Sequence, residues 1–348
     1  MFKGSGMLRR AARWIPFAAV EPFVRPTALF FHGVAPRIED ARIEINHHSL
    51  EAFRTIALEL KRRFQVLPLH AIDDVLKRPE RHARTVFLMS DDGYANTLGI
   101  AADLLDELNL PWTLFVSTEH IDTDALNPLI LARLFFYYAP DGSYTIPHLD
   151  SPIDLKSARL RASRAAPILS ALKNLDAEQA RESIAAMRNA FPNGRLAELR
   201  ARFFSERYLS WDEVAVLHRR GVEIGAHAHW HWPMNQAQPP DKLREQASVP
   251  RRAIIARLGR CSYFSYPFGN VGDVCPAAWR AVRDAGYSHA FTTLSGTLGA
   301  GLNPWLLPRY GLRAKEPHLR SLLPLLRLGD ARVARFSAAN VNGIPAPP

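Results

Sequence analysis

Four residues stand out by type and spacing. His227 and His231 lie four positions apart, and Asp91 and Asp92 are adjacent, with Gly93 directly behind them. Two imidazoles at that spacing can converge on one ion from a single turn of chain. One carboxylate then completes a two-histidine, one-carboxylate ligand set with positions left open for water and substrate. Metal-assisted hydrolysis also needs a base, separate from the ligands, to take a proton from water. Adjacent aspartates cannot both ligate easily, so one is free for each task, and the spacing alone does not say which. Each feature by itself has a plainer explanation, since acidic pairs cap helices and histidines line surface loops. Zinc proteases with paired histidines carry Glu directly after the first. Here that residue is Ala228, which removes that reading, and His229 is left as a supporting or surface residue.

The elements that would position these residues alternate strand and helix. Short apolar runs at 27–31, 86–89, 112–116, 222–226, 263–266 and 287–292 read as buried strands. Between them, apolar residues recur at helical spacing. Ser49 is a candidate N-cap, and Ser210 with Glu213 and Asp176 with Gln179 have the spacing of capping boxes. A helix from about 241 to 258 is expected to break at Pro250. Residues from about 125 to 205 interrupt the rhythm with a mainly helical insert that carries no nameable chemistry. Repeated βα units imply a parallel sheet, open or closed into a barrel. Asp91, Asp92, His227, His32 and Phe268 each follow a strand directly or nearly so, and in a barrel such strand ends share the face where active sites are built.

The same residues carry a resemblance to a known family. Ser90-Asp91-Asp92-Gly93 resembles the Thr-Phe-Asp-Asp-Gly motif of polysaccharide deacetylases, the NodB homology domain of carbohydrate esterase family 4. His227-Ala228-His229-Trp230-His231 resembles their His-Ser/Thr-x-x-His motif, and Phe264 to Gly269 their third motif, in the same order. Leu29 to Val34 and Leu307-Pro308-Arg309-Tyr310 are similar to the branch that acts on bacterial surface polysaccharides. The likeness spans about residues 27–312. It implies an α/β fold, a distorted (β/α) barrel of about seven parallel strands. By motif it makes Asp91 the general base and Asp92, His227 and His231 the ligands of a divalent metal, most often Zn2+, with Co2+ or Ni2+ as alternatives. The Phe268 N–H becomes an oxyanion donor. The sequence departs from the pattern in three places. Met89-Ser90 replaces Thr-Phe; Ser265 stands where the third motif carries an arginine that tunes the base; and the late Leu-x-x-His motif that supplies the acid is not evident. Arg309 is either the substitute cation or an ordinary surface arginine. His32, at the end of the first strand, is the candidate acid, against a packing role under a loop.

The implied reaction is removal of an N-acyl group, most simply acetyl, from a sugar of a polysaccharide or its precursor. The alternatives are a carbohydrate-binding relative without turnover, and esterase or deformylase chemistry on the same metal site. Composition agrees with a globular enzyme: 348 residues, 47% hydrophobic and 22% charged. Two cysteines, Cys261 and Cys275, are too few for a disulfide scaffold or a four-cysteine zinc site. The net charge of +10 permits anionic partners, but no long basic run or RNA-binding signature points to nucleic acid. The expected organisation is a basic arm over 1–26, a catalytic domain over 27–315 and a C-terminal helix and tail over 316–348. No apolar run reaches the roughly 18 residues of a membrane span. The arm, basic then apolar but broken by Pro16, Glu21 and Pro22, does not fit a cleaved signal peptide. The expectation is therefore a cytoplasmic protein, with peripheral membrane contact through the arm as the variant.

Overall fold

The computed structural model describes residues 25–312 apart from Asp124 and Ser151. The proposed arm before residue 25 and the proposed C-terminal helix and tail lie outside the described residues. The strands in chain order are β1 (Thr27–Phe31), β2 (Gly33–Ala35), β3 (His47–Ser49), β4 (Gln65–Val66), β5 (Thr85–Ser90) and β6 (Trp112–Val116). They continue with β7 (Ser143–Tyr144), β8 (Ile153–Asp154), β9 (Glu223–Ala226), β10 (Tyr263–Ser265), β11 (His289–Phe291) and β12 (Tyr310–Gly311). The main sheet runs β11-β10-β9-β6-β5-β1-β12, seven parallel strands, with β4 added beside β5. This is the expected distorted (β/α) barrel.

The barrel is closed by one segment. Leu307 forms a parallel bridge with Phe291, and three residues later Tyr310 pairs with Leu29. The chain from 307 to 311 thus spans the gap between the first strand and the last long one. Its placement matters for the site, because Arg309 lies within it.

Burial explains why the strands read as unbroken apolar runs. Every residue of β1, β5 and β6 is buried, as expected for parallel strands covered on both faces. Alternate side chains pack outward against helices, with Phe31, Leu88 and Leu114 meeting Phe53, Ile56 and Leu105. The others fill the interior, where Ala28, Phe30, Phe87, Met89, Phe115 and Phe291 share one cluster. The two predicted capping boxes and the Ser49 cap are all present. The predicted break at Pro250 is not. One helix runs Pro240–Leu258 with the buried Pro250 inside it, so packing against the barrel outweighs the lost hydrogen bond.

The residues between β6 and β9 include four helices, Pro128–Tyr138, Ala158–Leu172, Ala177–Asn189 and Arg195–Arg202, around a core of their own. That core takes in Trp230 and Trp232, which flank His231. The insert therefore grips the loop that carries the histidines.

One buried histidine gives the fold an acid-sensitive point. His48 Nε2 donates to the Leu312 carbonyl at 3.0 Å, and its Nδ1 is buried without a partner. Burial pulls its pKa down to about 4. The neutral ring is therefore favoured in the fold, and the unfolded chain takes up the proton first as pH falls. Stability present above the ordinary histidine pKa should drop as pH falls from about 6.5 toward 4, by up to about 3 kcal/mol for this group. Urea titrations should show a shallower loss over that interval in His48→Asn; an unchanged pH dependence would remove His48 as the cause.

Candidate active site

The site forms where four strands end. Asp91 and Asp92 follow β5, His227 follows β9, His32 follows β1, and Pro267-Phe268 lies just past β10. The ladders hold two of these residues directly. Asp91 N donates to Phe31 O at 3.0 Å, and His227 N donates to Val116 O at 2.8 Å. All six residues expected from sequence, His32, Asp91, Asp92, His227, His231 and Phe268, line one cavity of about 700 Å3.

Asp92 and the two histidines form the tightest cluster. Their potential ligand atoms lie within 4.8 Å of one another, and all three residues are buried. Asp92 Oδ1 is 2.8 Å from His231 Nε2 and 3.1 Å from His227 Nε2. Yet this buried oxygen has no partner in hydrogen-bonding geometry. Two imidazole nitrogens and a carboxylate oxygen that converge without bonding one another are what a cation would satisfy. The donor set suits zinc, cobalt or nickel. The far side of each ring is held: His227 Nδ1 donates to Ser265 O at 2.8 Å, and His231 Nδ1 meets the Asn127 amide at 3.0 Å. Such outer contacts fix ring orientation at metal centres. Burial opposes ionisation of Asp92, but His231, His32 and His227 outweigh it and hold its pKa well below the carboxylate range.

The histidines do not converge through a helical turn, as their spacing suggested. The 227–232 loop is irregular, with Ala228 at φ 59° and His231 at φ 51°. Asp92 at φ 76° and Phe268 at φ 62° are left-handed too. Of the eight described non-glycine residues with positive φ, these four surround the site. Each such conformation costs on the order of 1 kcal/mol or more and persists where surrounding packing imposes it. His229 turns away to Thr118, with 2.9 Å between its Nδ1 and the hydroxyl, and it does not line the cavity.

Asp91 has a different environment. Arg309 donates to both its oxygens, Nη1 to Oδ1 at 2.9 Å and Nη2 to Oδ2 at 2.8 Å. The same Nη2 donates to Ser265 Oγ at 2.7 Å, Ser265 Oγ reaches Asp91 Oδ2 at 3.3 Å, and Arg309 Nε donates to Thr292 O at 3.0 Å. Arg309 is fully buried, with its guanidinium 4.3 Å from the Phe30 ring centre. The sequence leaves Arg309 open between charge partner and surface residue; it is the charge partner. Ser265, in the position of the motif arginine, is small enough to let that guanidinium reach Asp91 from another strand. Burial alone would raise the Asp91 pKa, but the charge and hydrogen bonds of Arg309 hold it below the usual range.

Comparisons with known proteins bear on the family and the fold. A family profile described as polysaccharide deacetylase matches residues 78–290, well over half of the chain. The chain belongs to the polysaccharide deacetylase family. Solved structures share the fold at low identity. The Streptococcus pyogenes deacetylase PplD in complex with acetate is 13% identical, with a TM-score of 0.54, over 88% of this chain and 99% of that one. IcaB from Ammonifex degensii is 14% identical, with a TM-score of 0.54, over 87% and 97% respectively. BC0361, a polysaccharide deacetylase from Bacillus cereus, is 11% identical, with a TM-score of 0.53, over 87% and 69%. Among curated proteins, none matches the sequence.

The remaining residues expected from sequence, His32 and Phe268, complete the cavity. His32 borders the cavity with its ring edge-on to Phe30 at 5.6 Å. Burial lowers its pKa, against the opposing charges of Asp92 and Asp91. Gly33 beside it is required, because a Cβ there would lie 2.2 Å from the His47 ring. Phe268 N–H donates to no acceptor among the described residues. Asn127, Tyr94, Arg133 and Lys173 also line the cavity, and no short motif marks them.

With Asp91 as a base, its pair with Arg309 sets the acid limb of activity. Arg309→Met removes the cation and leaves burial, so the Asp91 pKa rises. The acid limb of kcat/KM should move to higher pH by roughly a unit or more, and Arg309→Lys should restore part of it. An unmoved limb in both variants would separate Arg309 from the ionisation that limits the rate.

Proposed function

We propose that the chain is a metal-dependent N-deacetylase acting on an acylated sugar of a polysaccharide or its biosynthetic intermediate. The observation that carries this reading is the division of labour between adjacent aspartates. Asp92 faces two histidines, while Asp91 is kept ionised by Arg309 and faces the same cavity. A relative without turnover would be favoured by the lack of an arginine beside the base, and Arg309 supplies that charge.

Asp92, His227 and His231 would hold a divalent metal, Zn2+ or alternatively Co2+ or Ni2+. When bound, it supplies Lewis-acid polarisation of the acyl carbonyl and a lowered pKa for water. Asp91 accepts the proton of the attacking water. Its low pKa ensures that it is the carboxylate form that meets substrate, and the 2.7 Å bond from Arg309 to Ser265 keeps the guanidinium in register as the proton arrives. The Phe268 N–H donates to the acyl oxygen as negative charge develops there. His32 gives a proton to the leaving amine. Three imidazoles line the cavity, and His227 and His231 are assigned with Asp92 to the metal, which leaves His32 for this task. Its lowered pKa makes the imidazolium a stronger acid, at the expense of the fraction protonated near neutrality.

The substrate is a carbohydrate, and acetyl is the acyl group the family membership favours. No helix among the described residues is long and apolar enough to cross a membrane. We keep the cytoplasm as the proposed compartment, with membrane contact through the N-terminal arm as the variant.

Two measurements test the assignment. His227→Ala and Asp92→Ala should each lose stoichiometric metal and acetate release together, since three-ligand sites rarely survive as two. Elemental analysis that finds the full complement of metal in both variants would overturn the ligand set. His32→Ala should keep the metal and slow amide cleavage roughly a hundredfold or more, with far less effect on an activated aryl acetate whose leaving group needs no proton. Equal losses on amide and ester would remove His32 as the acid.

A further inference from the structure

The active cavity has two unlike walls. The barrel side is polar and includes the residues described above. The insert side is mostly aliphatic, with Leu129, Ile130, Ala162, Ala165, Ala166 and Leu169 facing the cavity beside the hydroxyls of Tyr137 and Ser170. Aliphatic side chains offer nothing to the hydroxyls of a neutral polymer. Two cations, Arg133 and Lys173, interrupt this wall. Arg133, on the Pro128–Tyr138 helix, lines the cavity and makes a single hydrogen bond, from Nη1 to the Arg42 carbonyl at 3.2 Å.

Arg133 has no counter-charge among the described residues, where no carboxylate lies within ion-pair distance of it. The neighbouring acids are otherwise engaged. Asp40 pairs with Arg42 at 2.6 Å. Glu206 is buried, and burial with the charges of Glu44 and Asp92 raises its pKa well above the usual carboxylate value, against the opposing pull of Tyr94 and Arg133; it forms no ion pair with Arg133. Burial works against the charge of Arg133, while Tyr137, Glu206 and Tyr94 favour it from beyond ion-pair distance. Arg133 is half-buried, and a cation partly withdrawn from water gains from an anionic partner. Lys173 at the other end of the wall differs, with Asp273 at 3.7 Å and the Phe268 ring at 5.0 Å. The cation of this wall without an ion pair is therefore Arg133, in the cavity and next to an aliphatic strip.

We propose that Arg133 anchors a phosphate of the substrate, an N-acylated sugar joined through that phosphate to an apolar chain that lies along Ala162, Ala165 and Ala166. A guanidinium fork matches a phosphate oxyanion, and a phosphodiester is the anion whose far side can be hydrocarbon. A uronate within a polymer also offers an oxyanion, but its neighbours are hydroxyl-bearing sugars, which the aliphatic wall does not serve. The identity of the reacting N-acyl group rests on the deacetylase reading; the anion anchor rests on Arg133 and its surroundings.

The test uses metal-loaded full-length protein and four probes: methyl N-acetylglucosaminide, N-acetylglucosamine 1-phosphate, the farnesyl phosphodiester of N-acetylglucosamine, and an N-acetylated uronate disaccharide. Calorimetry measures binding and acetate release measures turnover. The farnesyl phosphodiester should bind at least tenfold more tightly than the methyl glycoside. Arg133→Met should abolish that ratio, and Arg133→Lys should keep part of it. A ratio near one in the native protein, or variants that weaken both ligands alike, would overturn the proposal and make Arg133 structural. Preference for the uronate would overturn the phosphate assignment, and equal binding of the non-lipid phosphate would overturn the apolar strip. Arg133-dependent binding without acetate release from any probe would sink the deacetylase reading alone. Acetate release that ignores the phosphate would sink this inference alone.

Discussion

The buried ion pair between Asp91 and Arg309 is the constraint on which the rest of the site depends. An isolated buried charge is expensive, and removing one member of such a pair typically costs about 3–5 kcal/mol. Arg309 can reach Asp91 only because the 307–311 segment closes the barrel, bridging Phe291 on one side and Leu29 on the other. The segment that closes the fold is therefore also the one that brings a cation to Asp91. The guanidinium also rests against Phe30 and donates to Thr292 O and Ser265 Oγ, so its remaining donors are satisfied inside an aromatic interior. That satisfaction is what makes a fully buried arginine tolerable.

The second aspartate is specialised by its neighbours in the opposite direction. Asp91 and Asp92 differ by one residue in sequence, but the left-handed turn at Asp92 points its carboxylate at two imidazoles instead of a guanidinium. The turn continues through Gly93 at φ 89°. On the other side, the histidine loop is bent by two further left-handed residues and held by Trp230 and Trp232 in the core of the insert. Strain in the loops is thus offset by apolar packing outside the barrel. The insert does more than interrupt the fold. It orients His231 through Asn127 and builds the aliphatic wall of the cavity.

Much of the architecture is legible in the sequence because it depends on local rules. Apolar runs of strand length, helical periodicity, the capping boxes at Asp176 and Ser210 and the glycine stop at Gly259 all appear where pattern and side-chain chemistry place them. Pro250 departs from those rules because helix propensity knows nothing of what the helix packs against. Spacing also implies the convergence of His227 and His231, but through a helical turn, whereas a strained loop brings it about.

What the sequence determined by itself was which residues stand at the ends of strands, since a strand's C-terminal neighbour is fixed by the chain. That rule alone gathers His32, Asp91, Asp92 and His227 on one face. What only the tertiary structure decided was charge. Whether Arg309 is a surface residue or the partner of Asp91, and whether Arg133 has a counter-ion, depends on which distant segments meet across the barrel and its insert. Arg309 lies 218 positions from Asp91 in sequence. No local pattern encodes such a meeting, because the interaction arises from burial and closure, and both belong to the whole fold.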